Sequence, residues 1–198
     1  MSYERKDAHY RRARAEGYRA RSAYKLAELD QRFALLRPGD RVIDLGAWPG
    51  AWMQVALERV GPSGRVVGID LVEPAPLAGA EVVVGDVRDP AVLAAARARA
   101  GGAAGVVLCD IAPKLTGIRD TDEARADELV DTVLAALPGL LQPGGRFLVK
   151  LFMGPSHPDV MRRLRALFAT VRTTRPEASR KGSSEIYAVA TGFRASCG

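Results

Sequence analysis

Lys150 is the most conspicuous chemical group in the sequence. It interrupts Arg146-Phe-Leu-Val-Lys150-Leu-Phe152, a run that otherwise reads as a strand buried on both faces. A buried ammonium is costly unless it is paired or neutralised, and burial depresses the pKa of a lysine. The position therefore reads as a candidate for proton chemistry. Three acids stand where apolar runs end: Asp70 closes Arg65-Val-Val-Gly-Ile-Asp70, Asp86 follows Glu81-Val-Val-Val-Gly85, and Asp110 closes Gly105-Val-Val-Leu-Cys-Asp110. An acid at Asp70 can accept both ribose hydroxyls of an adenosine. Asp86 can accept from an adenine amino group, or serve simply as a turn before a helix beginning at Asp89-Pro90.

These acids need a frame, and Val42-Ile-Asp-Leu-Gly46-Ala-Trp-Pro-Gly50-Ala-Trp52 supplies it. A short apolar strand runs into Gly46 and Gly50, where small residues let a ligand approach the backbone. Gln54 to Val60 then reads as a helix ended by Gly61-Pro62. Strand, glycine turn and helix form a nucleotide pocket in an open parallel sheet. The Gly-x-x-x-Gly spacing lacks the dinucleotide fingerprint, which disfavours a nicotinamide dehydrogenase. The set reads either as a pocket for S-adenosylmethionine (SAM) or as the glycine-rich turn of an ordinary sheet.

Further along, a helix is expected from Ala23 to about Leu35, capped by Ser22, with Lys25 as an ordinary surface lysine. Ala91–Ala100, Thr121 to about Leu141 and His157–Phe168 read as helices, and Ala169–Thr174 and Glu185–Thr191 as strands. About seven strands alternating with helices, without repeats, indicate a single doubly wound α/β domain with a mostly parallel sheet. Residues 1–21 form a basic extension and residues 22–198 the domain. The extension mixes tyrosine and arginine, which can meet bases and phosphates, or can be a frayed helix.

The 198 residues, 47% hydrophobic and 26% charged, have an ordinary globular composition. No apolar run approaches the ~20 residues that span a bilayer, and the polar N-terminus shows no secretory leader. Cys109 and Cys197 are too few for a disulfide framework and suit a reducing cytoplasm. His9 and His157 are the only histidines, so no metal site is expected. The net charge of +6 is uneven: residues 1–37 hold a balance of +5, residues 161–181 one of +6, and residues 38–160 one of −5. Two basic flanks on an acidic body suggest a polyanion partner such as nucleic acid, against the plainer reading of solvated helix faces.

Taken together, Asp44-Leu-Gly-Ala-Trp-Pro-Gly-Ala-Trp52, Gly85-Asp86, Asp110-Ile-Ala-Pro113, Gly117, Phe147–Phe152 and Ser179–Tyr187 resemble the FtsJ/RlmE family of SAM-dependent ribosomal RNA 2′-O-ribose methyltransferases. Gly17-Tyr-Arg-Ala-Arg-Ser-Ala-Tyr-Lys-Leu26 is similar too, so the resemblance covers nearly the whole chain in order. It implies a Rossmann-like methyltransferase fold and a Lys-Asp-Lys-Glu catalytic set on Lys25, Asp110, Lys150 and Glu185. It also implies SAM contacts at Gly46, Gly50, Trp52, Asp70, Asp86 and Asp110. Trp48 stands where the family usually has alanine, and Lys114 where it has asparagine.

The expected reaction is methyl transfer to a ribose 2′-hydroxyl, a uridine of large-subunit ribosomal RNA, by a cytoplasmic monomer. Lys150 would act as base, with Asp110 and Glu185 orienting the two lysines. The alternatives are a SAM enzyme acting on transfer RNA or a small metabolite, and a non-catalytic ribosome-assembly factor. A metabolite enzyme gives no reason for the basic flanks, and pure binding needs no lysine in a buried strand.

Overall fold

In the computed structural model, which describes residues 8–112, 116–117, 119–178 and 185–194, helices and strands alternate along the chain. The elements are α1 (Ala8–Ala15), α2 (Ser22–Phe33), β1 (Arg41–Leu45), α3 (Ala51–Val60), β2 (Arg65–Asp70), β3 (Ala80–Val84) and α4 (Pro90–Arg99). They continue through β4 (Ala104–Cys109), α5 (Arg119–Leu140), β5 (Leu141–Phe152), α6 (His157–Leu167), β6 (Phe168–Thr174) and β7 (Glu185–Phe193). The strands form one sheet in the order β3-β2-β1-β4-β5-β7-β6. The first five are parallel, and β7 runs antiparallel to both β5 and β6. This is the expected seven-stranded Rossmann-like arrangement. Expectations placed on Lys114, Arg180, Lys181 and Cys197, on stretches 1–7 and 179–184, and on the side chains of His9 and Tyr10 fall outside the described residues.

Side chains alternate across a strand, and the two faces of this sheet bury two clusters. Val42, Val66, Val106, Leu108 and Leu148 pack with α2 and α3. Ile43, Leu45, Val67, Ile69, Val107, Phe147 and Val149 pack with α4, α5 and α6. The same alternation sets the position of the polar groups. Asp110 lies two residues beyond Leu108 and Lys150 two beyond Leu148, so both belong to the α2 face at the carboxyl end of the sheet. Tyr187 pairs with Lys150 in the β5–β7 register and is wholly buried. Since β1 has β2 on one side and β4 on the other, their carboxyl ends flank the crevice where open sheets take ligands.

Element boundaries differ from expectation for local reasons. Ser22 is not a cap: Arg21 already has helical angles (φ −63°, ψ −17°) and makes no side-chain cap, so α2 begins before a serine hydroxyl could start it. Helix α2 stops at Phe33, because the Asp30 carboxylate accepts from Leu36 N at 2.8 Å and draws the chain into a turn. Asp89 does cap α4, accepting from Ala91 N at 2.8 Å, with Pro90 at the first helical position.

Candidate active site

A cavity of about 780 Å³ lies over the carboxyl ends of β1, β2 and β4, within the range of cofactor pockets. Gly46, Asp70, Asp86 and Asp110 line it with the apolar Ile69, Val87 and Ile111, and Arg125, Glu128, Leu129 and Thr132 of α5 close one wall. Asp70 is held from two sides: its Oδ2 accepts from Trp48 N at 2.8 Å and its Oδ1 from Val72 N at 2.9 Å. A carboxylate oxygen has two lone pairs, so Asp70 can still accept from a diol. Asp86 is already engaged by Arg88, whose Nε lies 3.0 Å from both of its oxygens and whose backbone N donates at 2.9 Å. These bonds hold the Asp86 carboxyl down at about 2. Asp70, Asp86 and Asp110 at the strand ends, set among apolar walls, fit a cofactor that carries a ribose diol, an exocyclic amine and a methionine ammonium.

The two loop glycines answer to protein neighbours. A Cβ at Gly46 (φ +81°) would lie 2.5 Å from Ile111 Cγ1, and one at Gly50 (φ +104°) 2.5 Å from Arg19 Nη1. Both backbones also occupy the left-handed region that favours glycine. Arg19 fills that space to donate to the carbonyls of Pro49 at 3.1 Å, Ala75 at 2.6 Å and Pro76 at 2.6 Å. It thereby ties the N-terminal segment to the loops after β1 and β2. Gly50 and Trp52 do not line the cavity, in contrast to the other four expected cofactor positions. The Trp52 side chain is 3% exposed and donates from Nε1 to Ser22 O at 2.9 Å, so its ring locks α3 to α2.

Beside the cavity a continuous polar chain crosses three elements. Lys25 Nζ of α2 donates to Glu185 Oε2 at 3.0 Å and to the Tyr187 hydroxyl at 3.3 Å. The Tyr187 hydroxyl donates to Asp110 Oδ1 at 2.8 Å. Lys150 Nζ lies 3.1 Å from that same oxygen and donates to Asp110 O at 2.6 Å. Both lysines are almost buried, at 7% and 8% exposure, so these bonds act in low dielectric. Burial first, and the Asp110 charge second, push the Tyr187 phenol upward, which keeps it a neutral donor. Burial likewise pushes the neighbouring Cys109 thiol up to about 12, so it is no nucleophile.

Lys25, Asp110, Lys150 and Glu185 are therefore brought together, and Asp110 belongs to both the polar chain and the cavity. Tyr187 stands in the sequence only as the end of the Ser179–Tyr187 stretch, with no role assigned, although its spacing of two from Glu185 on a strand puts both on one face. Arg19 and the α5 wall had no local signal. The basic flank at 161–181 is weaker than its composition: Arg162 pairs with Asp159 and Arg163 with Asp131. Among the described residues no His, Cys, Asp and Glu side chains group as metal ligands, and no helix is long and apolar enough to cross a membrane.

The model of the FtsJ-like methyltransferase family matches residues 18–193. The chain is 45% identical over 192 residues to ribosomal RNA large subunit methyltransferase E of Methanoculleus marisnigri, covering 97% of this chain and 94% of that one. It is 45% identical to the protein of the same name from Syntrophobacter fumaroxidans, covering 99% and 100%. Among solved structures, a Plasmodium falciparum chain described as a ribosomal RNA methyltransferase superposes with a TM-score of 0.78 at 26% identity, over 89% of this chain and 98% of that one. Aeropyrum pernix fibrillarin, solved with bound SAM, shares the fold at a TM-score of 0.62 and 17% identity, over 86% and 76%. Matched along nearly its whole length, the chain belongs to the FtsJ-like methyltransferase family, whose methyl donor is SAM.

Proposed function

We propose that the protein methylates a ribose 2′-hydroxyl of large-subunit ribosomal RNA, at a uridine, as a monomer in the cytoplasm. The observation that carries this reading is the pairing of Lys25 and Lys150 through Tyr187 and Asp110 at the edge of the cavity. The names of the close relatives support the RNA substrate.

SAM supplies a methyl group already activated on a sulfonium, so the protein's tasks are alignment and removal of one proton. Lys150 Nζ is fixed by two contacts on Asp110, the backbone oxygen and Oδ1. As base it would present a lone pair to the incoming hydroxyl. As the oxygen–methyl bond forms and the methyl–sulfur bond breaks to leave a neutral thioether, the 2′-hydroxyl proton would pass to Lys150 Nζ, and Asp110 Oδ1 would compensate the new ammonium. Glu185 and Tyr187 fix the Lys25 ammonium, which holds the ribose and its phosphate. On the cavity side, Gly46, Asp70, Asp86 and Asp110 would hold the cofactor: Asp70 the ribose diol, Asp86 the adenine amine and Asp110 the methionine ammonium. Gly50 and Trp52 would support that site from behind.

The test is transfer of labelled methyl from SAM to hypomethylated large subunits, free ribosomal RNA and transfer RNA. Label on a large-subunit ribose, shown by alkali resistance of the adjoining bond, is the expected result. Label on transfer RNA alone, or on none of the three, would contradict the reading.

A further inference from the structure

Trp48, Leu71 and Val72 are large apolar side chains left in solvent, at 59%, 68% and 56% exposure, and all three line the cavity. Exposed apolar side chains that line one polar site mark a binding surface. The two loops that carry them are clamped side by side, because Gly46 N and Ala47 N both donate to Ile69 O, at 2.9 and 3.1 Å. Asp70 completes the clamp by accepting from Trp48 N and Val72 N on its two oxygens. The acid suited to a ribose diol is thus bracketed by backbone that bears an indole on one side and aliphatic groups on the other. The two tryptophans differ sharply: Trp52 is core and spends its indole N–H on Ser22 O, whereas the Trp48 ring adds nothing to the core clusters.

We propose that Trp48, with Leu71 and Val72, is an apolar cover for the adenosine half of SAM, the indole lying against the ribose and adenine that Asp70 anchors. The cover rests on the assignment of the cavity to the cofactor. Its ligand class is an adenine nucleoside with a thioether or sulfonium at the 5′ position. A ring on a π face contributes on the scale of a base–aromatic stack.

The test uses the full chain and two probes, S-adenosylhomocysteine and 5′-methylthioadenosine, titrated calorimetrically. Trp48→Ala should weaken both by the same factor, about tenfold for one stack. Trp48→Phe should restore most of that loss, and the KM for RNA at saturating SAM should not change. Tryptophan emission of the wild type should respond to either probe, while that of Trp48→Phe, which reports Trp52, should not. Equal affinities for wild type and Trp48→Ala would overturn the cover. So would a loss for S-adenosylhomocysteine alone, which places the ring at the methionine end, or a raised RNA KM with unchanged nucleoside binding, which makes it an RNA platform. Failure of the cavity assignment is distinguishable: Asp70→Ala would then bind S-adenosylhomocysteine as tightly as wild type.

Discussion

Strand β5 carries two buried basic side chains four residues apart on one face, Arg146 and Lys150, each 8% exposed. Arg146 is held by protein on two sides: Nη1 donates to Leu35 O at 2.6 Å, and Nη2 reaches both oxygens of Asp40 at 2.7 and 2.8 Å. Its planar fork matches these acceptors, holds the turn after α2 to the sheet, and never gives up its proton. Lys150 has Asp110 as its partner, and Asp110 opens on the cavity. Burial of a base is thus common to a structural and a chemical position. What separates them is whether the partner is closed in by protein or shared with a ligand, and whether the base can exist without its proton.

Exchanging the two chemistries gives the largest expected effect. Lys150→Arg keeps the charge beside Asp110 but removes the base, so kcat should fall by about 10²–10⁴-fold, the usual worth of proton transfer, with SAM affinity kept. The reverse exchange, Arg146→Lys, should act on stability: loss of the fork to Asp40 and Leu35 should cost about 2 kcal/mol in denaturant unfolding and leave kcat unchanged. A drop in kcat with normal stability would break the comparison. A buried acid on β1 sharpens it. Asp44 is wholly buried, neither of its oxygens finds a hydrogen-bond partner among the described residues, and burial first, then Asp110 and Asp70, raise its pKa well above the usual value.

The unfolded chain loses the Asp44 proton near pH 4, before the folded chain does, so this residue costs stability as pH rises past that value. Asp44→Asn should therefore melt above wild type at pH 8, and the difference should vanish at pH 3. A lower melting temperature at pH 8 would show that Asp44 is charged and paired. The smallest effect is expected for Tyr187→Phe, since Lys25 keeps Glu185 and Asp110 keeps Lys150. A fall in kcat below about tenfold is expected from loss of one hydrogen bond at each neighbour.

Much of this was legible from local pattern. The local pattern gives β2 residue for residue as Arg65–Asp70, and the acids at the ends of β2, β3 and β4 do line one cavity. Lys150 was conspicuous because apolar residues flank it on both sides. Arg146 was not, because it follows Gly145 at the edge of the apolar run, where a charge usually marks the surface. Lys25 meets Glu185 across 160 residues, a contact that no local spacing encodes, and only the family resemblance pointed to it. Gly46 and Gly50 were read as openings for a ligand, but spacing cannot say which neighbour fills the space. Here Ile111 and Arg19 fill it.

The most direct measurement combines single-turnover methyl transfer to hypomethylated large subunits with SAM titration, on one preparation of Lys150→Ala. The expected result is loss of transfer by at least about 10²-fold with SAM affinity close to wild type, the signature of a removed base. Near-normal turnover would contradict the assignment of Lys150 and, with it, the distinction drawn between the two bases of β5.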